Sequence, residues 1–327
     1  MTIRTRTTDG PTDIVTLTMN PALDITTSVA RVQSAHKLRC GIAGYNAGGG
    51  GINVARVASA LGGTATAVFA AGGAAGEMIT DLLTAELVPY ERIPIAGTTR
   101  ESFTVDEKCT GLQYRFVLPG PTVSDSEQTR CLQHLRSCAR GARFVVASGS
   151  LPPGVAPDFY QQVADLCVGL GVDFILDTSG AGLAHVTSGV FLLKPSLHEL
   201  RECFRRELLD ECEQLAAAKE LIKRGVTQNV LVSMGADGAL LVTPQRSQRF
   251  PAIPVAPGSG VGAGDALVAA TTVGLSQGWT LPRSVLLGMA AGAAMLLTPG
   301  TDVCVPSDVQ RLYADAAAPV DIDEAVT

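Results

Sequence analysis

The run Gly258-Ser259-Gly260-Val261-Gly262-Ala263-Gly264-Asp265 leads directly into an apolar stretch with helical spacing, Ala266 to Leu275. Glycines let backbone N–H groups converge on an anion at a helix N-terminus, where the helix dipole also favours negative charge. A carboxylate beside such a cradle is electrostatically out of place unless it must take a proton from an attacking hydroxyl, which makes Asp265 a candidate general base for phosphoryl transfer. On spacing alone, an aspartate that merely decorates the first helical turn explains the pattern as well. Gly258 to Ala263 also fits G-x-G-x-x-A, the dinucleotide fingerprint. Its context argues against that use: Pro251, Pro254 and Pro257 crowd the place of the required strand, and no acid follows ~20 residues on to hold a ribose. A P-loop is excluded because the chain contains no Gly-Lys pair.

A second glycine turn, Gly48-Gly49-Gly50-Gly51, opens onto Ile52-Asn53-Val54-Ala55-Arg56, and Asn53 would offer its amide to a polar ligand one turn in. The plainer reading is a connection made of glycine for tight packing. Asp24, in Asn20-Pro21-Ala22-Leu23-Asp24, follows the first expected strand, at the edge where open α/β sheets bind ligands; alone it also fits a turn-forming aspartate. Cations for a phosphate could come from Lys37 and Arg39, which share one face of an expected strand, and from Arg100. Ser233-Met234-Gly235-Ala236-Asp237-Gly238 joins two apolar runs, as a ligand-contacting turn or as a simple hairpin loop. Lys194-Pro195-Ser196-Leu197-His198-Glu199 follows a buried strand and puts Glu199 where it could approach a hydrated Mg²⁺, with His198 read as a surface residue.

Short continuous apolar runs must carry these groups: Ile14 to Met19, Thr64 to Ala70, Arg143 to Ala147, Phe174 to Leu176, Val190 to Leu193 and Val230 to Val232. Strands buried on both faces read this way, and their alternation with helical stretches predicts an α/β fold with a parallel sheet covered by helices. The helices are expected at 52–61, 76–86, 126–139, 157–170, 208–224, 264–277 and 282–297. Two segments break the rhythm, Thr26 to Tyr45 and Arg100 to Leu118, where alternating residues such as Tyr114, Phe116 and Leu118 suggest an antiparallel patch serving as lid or interface. The N-terminal residues 1–13 are expected to be disordered and the acidic tail 314–327 mobile.

With 327 residues, 46% of them apolar and 17% charged, the chain can bury a large core. Its net charge of -6 gives no positive field to hold nucleic acid by counterion release. The eight cysteines include no C-x-x-C pair and the four histidines no H-E-x-x-H, so neither a zinc ribbon nor a zinc protease pattern is present. The longest uncharged apolar run, Ser284 to Leu297, is too short to span a bilayer and fits a packed internal helix. Met1 to Asp13 has no apolar core of a secretory signal. A cytoplasmic protein with no membrane or nucleic-acid partner is expected.

Taken in order, Asn20 to Asp24, Gly48 to Arg56, Ser148-Gly149-Ser150-Leu151-Pro152-Pro153-Gly154, Lys194 to Glu199, Ser233 to Gly238 and Gly262 to Asp265 resemble the ribokinase-like PfkB carbohydrate kinase family. The resemblance covers the stretch from Ile14 to Tyr313. Lys37-Leu38-Arg39-Cys40, the four-glycine turn, the Ser148 to Gly154 segment and Gln113-Tyr114-Arg115-Phe116-Val117 are similar to its 6-phosphofructokinase branch. The resemblance implies a doubly wound, mainly parallel sheet in a kinase domain over 14–313, and a small β lid pairing two subunits as a homodimer or a tetramer. It further implies transfer of the γ-phosphoryl of ATP to C1 of fructose 6-phosphate. Asp265 would be the base and the N–H groups of Gly262, Ala263 and Gly264 the anion hole. Asp24, Lys37, Arg39, Gly49, Gly50, Asn53, Arg100 and Ser150 would surround the sugar phosphate. Lys194, Ser196, Ser233, Gly235 and Gly238 would line the nucleotide site, with Glu199 on Mg²⁺ through water and a monovalent cation, K⁺, near Ser259, Val261 and Gly300.

Three departures bear on that implication. Relatives acting on fructose 1-phosphate or tagatose 6-phosphate usually carry lysine where Gly50 stands, which favours the 6-phosphofructokinase branch over those two alternatives. The family's N-x-x-E appears as Ser196 to Glu199, so one amide is missing and a catalytically silent sugar-phosphate sensor is a third alternative. Asp302 stands where close relatives commonly carry a basic residue.

Overall fold

The computed structural model describes residues 12–256, 258, 260–298 and 302–322. The chain enters through β1 (Ile14–Thr18), leaves for β2 (Ala22–Val29) and β3 (Gly44–Gly48), and returns along helix α1 (Gly50–Ala60) to β4 (Ala65–Ala71). After α2 (Gly73–Ala85) and β5 (Tyr90–Pro94) it leaves again as β6 (Arg100–Glu107) and β7 (Gln113–Val117). Then follow α3 (Asp125–Cys138), β8 (Phe144–Ser148), α4 (Phe159–Leu170), β9 (Asp173–Asp177), α5 (Gly180–Ala184), β10 (Val190–Leu193), α6 (Leu197–Phe204), α7 (Glu211–Lys223) and β11 (Thr227–Ser233). The last part comprises β12 (Ala239–Val242), β13 (Ser247–Phe250), α8 (Ala263–Ser276), α9 (Leu281–Met295), α10 (Pro306–Asp315) and β14 (Val320–Asp321).

Ten strands form one sheet in the order β14-β13-β12-β11-β10-β9-β8-β1-β4-β5, parallel from β5 through β11 and antiparallel beyond. Both faces are covered, which is why its strands read as unbroken apolar runs. Ile14, Phe144 and Val146 face a core with α1, α2, α8, α9 and α10, while Val15, Leu17, Val145 and Ala147 face one with α3 to α7. The chain runs from β1 outward to β4 and β5, then crosses back to β8 on the other side of β1. Between β1 and β8 the winding reverses, and at such a switch point the loops diverge and leave a crevice at the strands' carboxyl ends. Small residues let α8 and α9 approach closely: a Cβ at Gly288 would lie 2.6 Å from the Leu267 carbonyl oxygen.

The second sheet has four strands in the order β3-β2-β6-β7. Its centre is the parallel pair β2–β6, with Asp24 opposite Ser102, so the two segments that broke the α/β rhythm come together. The patch is therefore mixed where alternation alone suggested antiparallel pairing. The stretch between β2 and β3 forms no strand, so Lys37 and Arg39 share no strand face, contrary to expectation. The β2 edge that would receive such a strand is taken by β3, leaving 30–43 without a ladder to join. A second correction concerns the tail. Residues 314–315 complete α10 and Val320–Asp321 pair with Arg249 and Gln248 as β14, where 314–327 was expected to be mobile; residues 323–327, like 1–11 of the segment expected to be disordered, lie outside the described residues.

The turn into α1 shows why glycine is required there. Gly49 has φ 111°, a backbone region open to glycine, and a Cβ at Gly51 would lie 2.5 Å from the Leu17 carbonyl oxygen. Farther along α1, buried Arg56 forks onto Glu86 at 2.6 and 2.7 Å and donates to the Ala47 carbonyl at 3.1 Å, tying α1 to β3 and to the end of α2. Because the atom facing Gly51 is main chain and cannot rotate away, Gly51→Ala is expected to lower unfolding free energy by ~1–3 kcal/mol. Urea denaturation should show this as a lower midpoint with an unchanged slope.

Candidate active site

Two cavities open at the switch point. The first, about 180 Å³, lies between the sheets and is lined by Asp24, Gly49, Gly50, Asn53, Arg100, Arg115, Val261, Gly262 and Asp265 among others. The second, about 390 Å³, lies over the carboxyl ends of the main sheet and is bounded by Ser148, Ser150, Asp177, Lys194, Ser196, Glu199, Ser233, Gly264 and neighbours. Gly50, Gly262 and Asp265 line both. Asp265 thus stands at the junction of two polar chambers.

Its position follows from α8. Gly262 caps that helix with φ 76°, turning the glycine run so that the helix mouth faces the junction with Asp265 in its first turn. The first N–H groups of a helix have no intrahelical partner and point outward; here the Ala263 N–H reaches back to the Gly260 carbonyl at a long 3.3 Å. Both carboxylate oxygens of Asp265 are engaged, Oδ2 by the Asn53 Nδ2 amide at 2.9 Å and Oδ1 by the Ser148 hydroxyl at 3.1 Å. Burial pushes its carboxyl above the ordinary range; the Asn53 donor, the Lys194 ammonium and the Ser148 donor pull it back, and the Asp24 charge pushes it up. A carboxylate raised but still hydrogen-bonded is suited to accept a proton.

In the first cavity, Asp24 sits on β2 opposite Asn46, so close to β3 that a Cβ at Gly48 would lie 2.1 Å from its Oδ2. Burial raises its carboxyl to about 6, against the opposing pull of Arg100, Arg115 and Arg56. Arg100 donates to the Asn20 carbonyl at 3.0 Å and to the Leu118 carbonyl at 3.2 Å, tying the second sheet to the end of β1. Arg100 and Arg115 bring two guanidinium groups to one chamber, a setting suited to a phosphate. Lys37 and Arg39 are exposed and line neither cavity.

The second cavity is ordered by charge. Buried Lys194 pairs with Asp177 at 3.0 Å. Burial alone would lower the Lys194 ammonium, but the Asp177, Glu199 and Asp265 carboxylates outweigh it and hold the charge on. Asp177 is pushed up to about 6, chiefly by burial and against the pull of Lys194. Ser196 caps α6 in a reciprocal box: its hydroxyl meets the Glu199 N–H at 3.2 Å, and Glu199 Oε2 takes the Ser196 N–H at 2.7 Å. That fixes the Glu199 side chain at the cavity wall, near the hard oxygens of Asp177, a donor set suited to a hydrated divalent cation. Ser150 lines this second cavity, with its hydroxyl 3.3 Å from Asn20 Nδ2. Ser233 lines it too, bridged to Ser196, whereas Gly235 opens and Gly238 follows a one-turn 3₁₀ segment in the β11–β12 hairpin, and they line neither chamber. Val261 lies on the first cavity, and Ser259 and Gly300 lie outside the described residues.

Three residues of this constellation escaped the sequence reading. Arg115 carried a signal, since the alternation that puts Tyr114 and Phe116 on opposite faces from it directs a lone cation to the other side of β7. Asp177 did too, as an acid directly after the apolar run Phe174 to Leu176, at the carboxyl edge of the sheet. Ser148 opens the Ser148 to Gly154 segment that carries the resemblance, but nothing in its spacing assigned it a role beside Asp265.

The chain matches the family model for pfkB family carbohydrate kinases over residues 17–308. A relative from Mycobacterium tuberculosis, ATP-dependent 6-phosphofructokinase isozyme 2, is 60% identical over 316 residues, 97% of this chain and 93% of the relative. The crystal structure of phosphofructokinase-2 from Escherichia coli in complex with potassium superposes with a TM-score of 0.89 at 38% identity, covering 93% of this chain and 99% of that one. The same Escherichia coli enzyme in complex with fructose-6-phosphate gives a TM-score of 0.87 at 37% identity, with the same coverage. With a carboxylate at the junction of two polar chambers on a doubly wound sheet, and with likeness along almost its whole length, the chain belongs to the pfkB family of carbohydrate kinases.

Proposed function

We propose that the chain is an ATP-dependent 6-phosphofructokinase, converting fructose 6-phosphate and ATP to fructose 1,6-bisphosphate and ADP. The observation that carries the reading is Asp265 at the wall shared by the two cavities. The relative at 60% identity bears that activity in its name, and the Escherichia coli neighbour was solved with fructose-6-phosphate. Here Gly50 has no room for the side chain its alternatives would need, since a Cβ there would meet Ser148 Oγ at 2.1 Å. That favours fructose 6-phosphate over fructose 1-phosphate and tagatose 6-phosphate.

In this reading the sugar occupies the first cavity, with Asp24 and Asn53 on its hydroxyls and Arg100 and Arg115 near its phosphate. ATP occupies the second, its terminal phosphates toward Lys194 and the mouth of α8. The C1 oxygen attacks the γ-phosphorus, its proton passes to Asp265, and the bond from that phosphorus to the β–γ bridging oxygen breaks as ADP leaves. The N–H groups at Gly262 and Gly264 would meet the charge that builds on the transferring group, joined by that of Ala263 if it leaves its long bond to the Gly260 carbonyl, and Lys194 adds a fixed cation. A bound Mg²⁺, held through water by Glu199 with Asp177 nearby, would neutralise phosphate charge. A monovalent cation near Val261, Ser259 and Gly300 belongs to the same reading.

The second sheet serves in this reading as a lid, and its exposed Tyr45 and Phe116, which share a face turned away from that of Asp24, with Leu118 beyond, as the face on which two copies pair, giving a homodimer or a tetramer. Lys37 and Arg39 would reach the sugar phosphate only by movement of their segment or across that dimer. Among the described residues no helix is long and apolar enough to cross a membrane, which accords with work in the cytoplasm.

Three outcomes test the reading. A panel of free and phosphorylated hexoses with ATP and Mg²⁺ should give the highest kcat/KM for fructose 6-phosphate; preference for another phosphorylated ketose, or ligand binding with no ADP release, would replace it. Asp265→Asn should lower kcat by ~10² to 10⁴ while nucleotide binding, read by calorimetry, is kept. Asp24, raised to about 6, remains charged and desolvated at neutral pH, so it destabilises the unliganded fold there. Native Asp24 binds more protons than the unfolded chain between its ordinary pKa and about 6, and this penalty grows as pH rises through that window. Asp24→Asn should therefore raise stability by ~1–3 kcal/mol at pH ~8, with the gain vanishing near pH ~4, while fructose 6-phosphate binding weakens sharply. Thermal melts at both pH values and a sugar titration read the two effects.

A further inference from the structure

Asp265 is held from two sides, and the Ser148 side has no other task in the reaction described above. Ser148 ends β8, is 2% exposed, and stands opposite Asp177 in the parallel register with β9. The residue after it is locked: the Gly149 N–H donates to the Asp177 carbonyl at 2.9 Å, and the Gly149 carbonyl accepts from Tyr160 at 2.7 Å and from Thr178 at 3.0 Å. On its open side the Ser148 hydroxyl packs against Gly50, where a Cβ would approach to 2.1 Å. A hydroxyl has one proton to give, and here it goes to Asp265 Oδ1 at 3.1 Å. With Asn53 on Oδ2, the carboxylate has one donor on each oxygen and each oxygen keeps a lone pair for an incoming proton.

We propose that Ser148 is a positioning residue of the transfer step, holding the Asp265 carboxylate ionised and in a single rotamer turned toward the sugar chamber. The proposal rests on Asp265 acting as the base. A donor to the ionised form favours that form, so loss of the hydroxyl moves Asp265 titration to higher pH. The other groups that act on this carboxylate are Lys194 following β10, Asp24 on β2, Asp177 on β9 and the Asn53 amide on α1, and all remain when Ser148 is truncated. Ser148→Ala removes one atom from a buried strand end and leaves the strand pairing in place.

The test has a readout that does not need turnover. The Asp265 carboxyl carbon is followed by NMR across pH in the unliganded wild type and in Ser148→Ala, the resonance being assigned by its loss in Asp265→Asn. An upward move of the titration supports the proposal; an unmoved titration overturns it. In steady state, Ser148→Ala should lower kcat by about 10- to 50-fold with less than about twofold change in either KM, and move the acid limb of the kcat profile upward. In the Asp265→Asn background the same substitution should add less than about twofold, because its effect runs through the carboxylate. A loss that multiplies in that background, or appears mainly in KM, marks a merely structural role and overturns the proposal. Absence of wild-type turnover on fructose 6-phosphate would overturn the substrate reading instead, while the titration still decides whether Ser148 holds Asp265.

Discussion

A carboxylate withdrawn from water costs free energy, and at Asp265 that cost is opposed by an amide, a hydroxyl and an ammonium arriving from three different strand–helix units. Asn53 comes from α1, Ser148 from β8 and Lys194 from the end of β10. None of these could reach the helix mouth unless the main sheet were wound in both directions from β1, which brings the ends of β1 and β8 side by side. The glycine turn before α1, the tight α8–α9 packing and the Arg56–Glu86 fork help to place Asp265 and these donors, so much of the geometry of the body bears on a few tenths of a nanometre around one side chain.

Electrostatics then sorts the chambers. Asp24 and Asp177 are both driven toward pH 6 by burial, yet their companions differ: guanidinium groups near Asp24, an ammonium at 3.0 Å from Asp177. Arginines present planar donor forks suited to an ester phosphate, while Lys194 is a compact charge fixed among acids, suited to phosphates that arrive with their own cation. The Ser196 box adds a structural solution to the absent amide: the serine holds Glu199 through the helix N-cap, a role serine fills well.

Much of this was legible in the chain itself. The unbroken apolar runs foretold the parallel sheet because strands covered on both faces have no polar side to display. Gly262 to Asp265 foretold a helix mouth because glycine followed by an acid and a small-residue helix is costly without a ligand. What escaped depends on pairing between distant segments. Ser148 reads as an ordinary turn serine until Asp265, 117 positions later, is seen beside it. The Lys37-Leu38-Arg39 alternation suggested a strand, but alternation does not say whether an edge is free, and β3 already occupies the one it would need. The short antiparallel strands β13 and β14 carry too few residues for a period to show.

The β2–β6 pairing has a mechanical corollary. The four-stranded sheet joins the main body where the chain enters β2 and β6 and where it leaves β3 and β7, and these crossings lie along one seam. Were this sheet to turn against the body, that line would be its axis. Asp24 belongs to the sheet and Asp265 to the body, so the spacing of the two carboxylates, and the size of molecule both could touch, depends on how the two parts are set against each other.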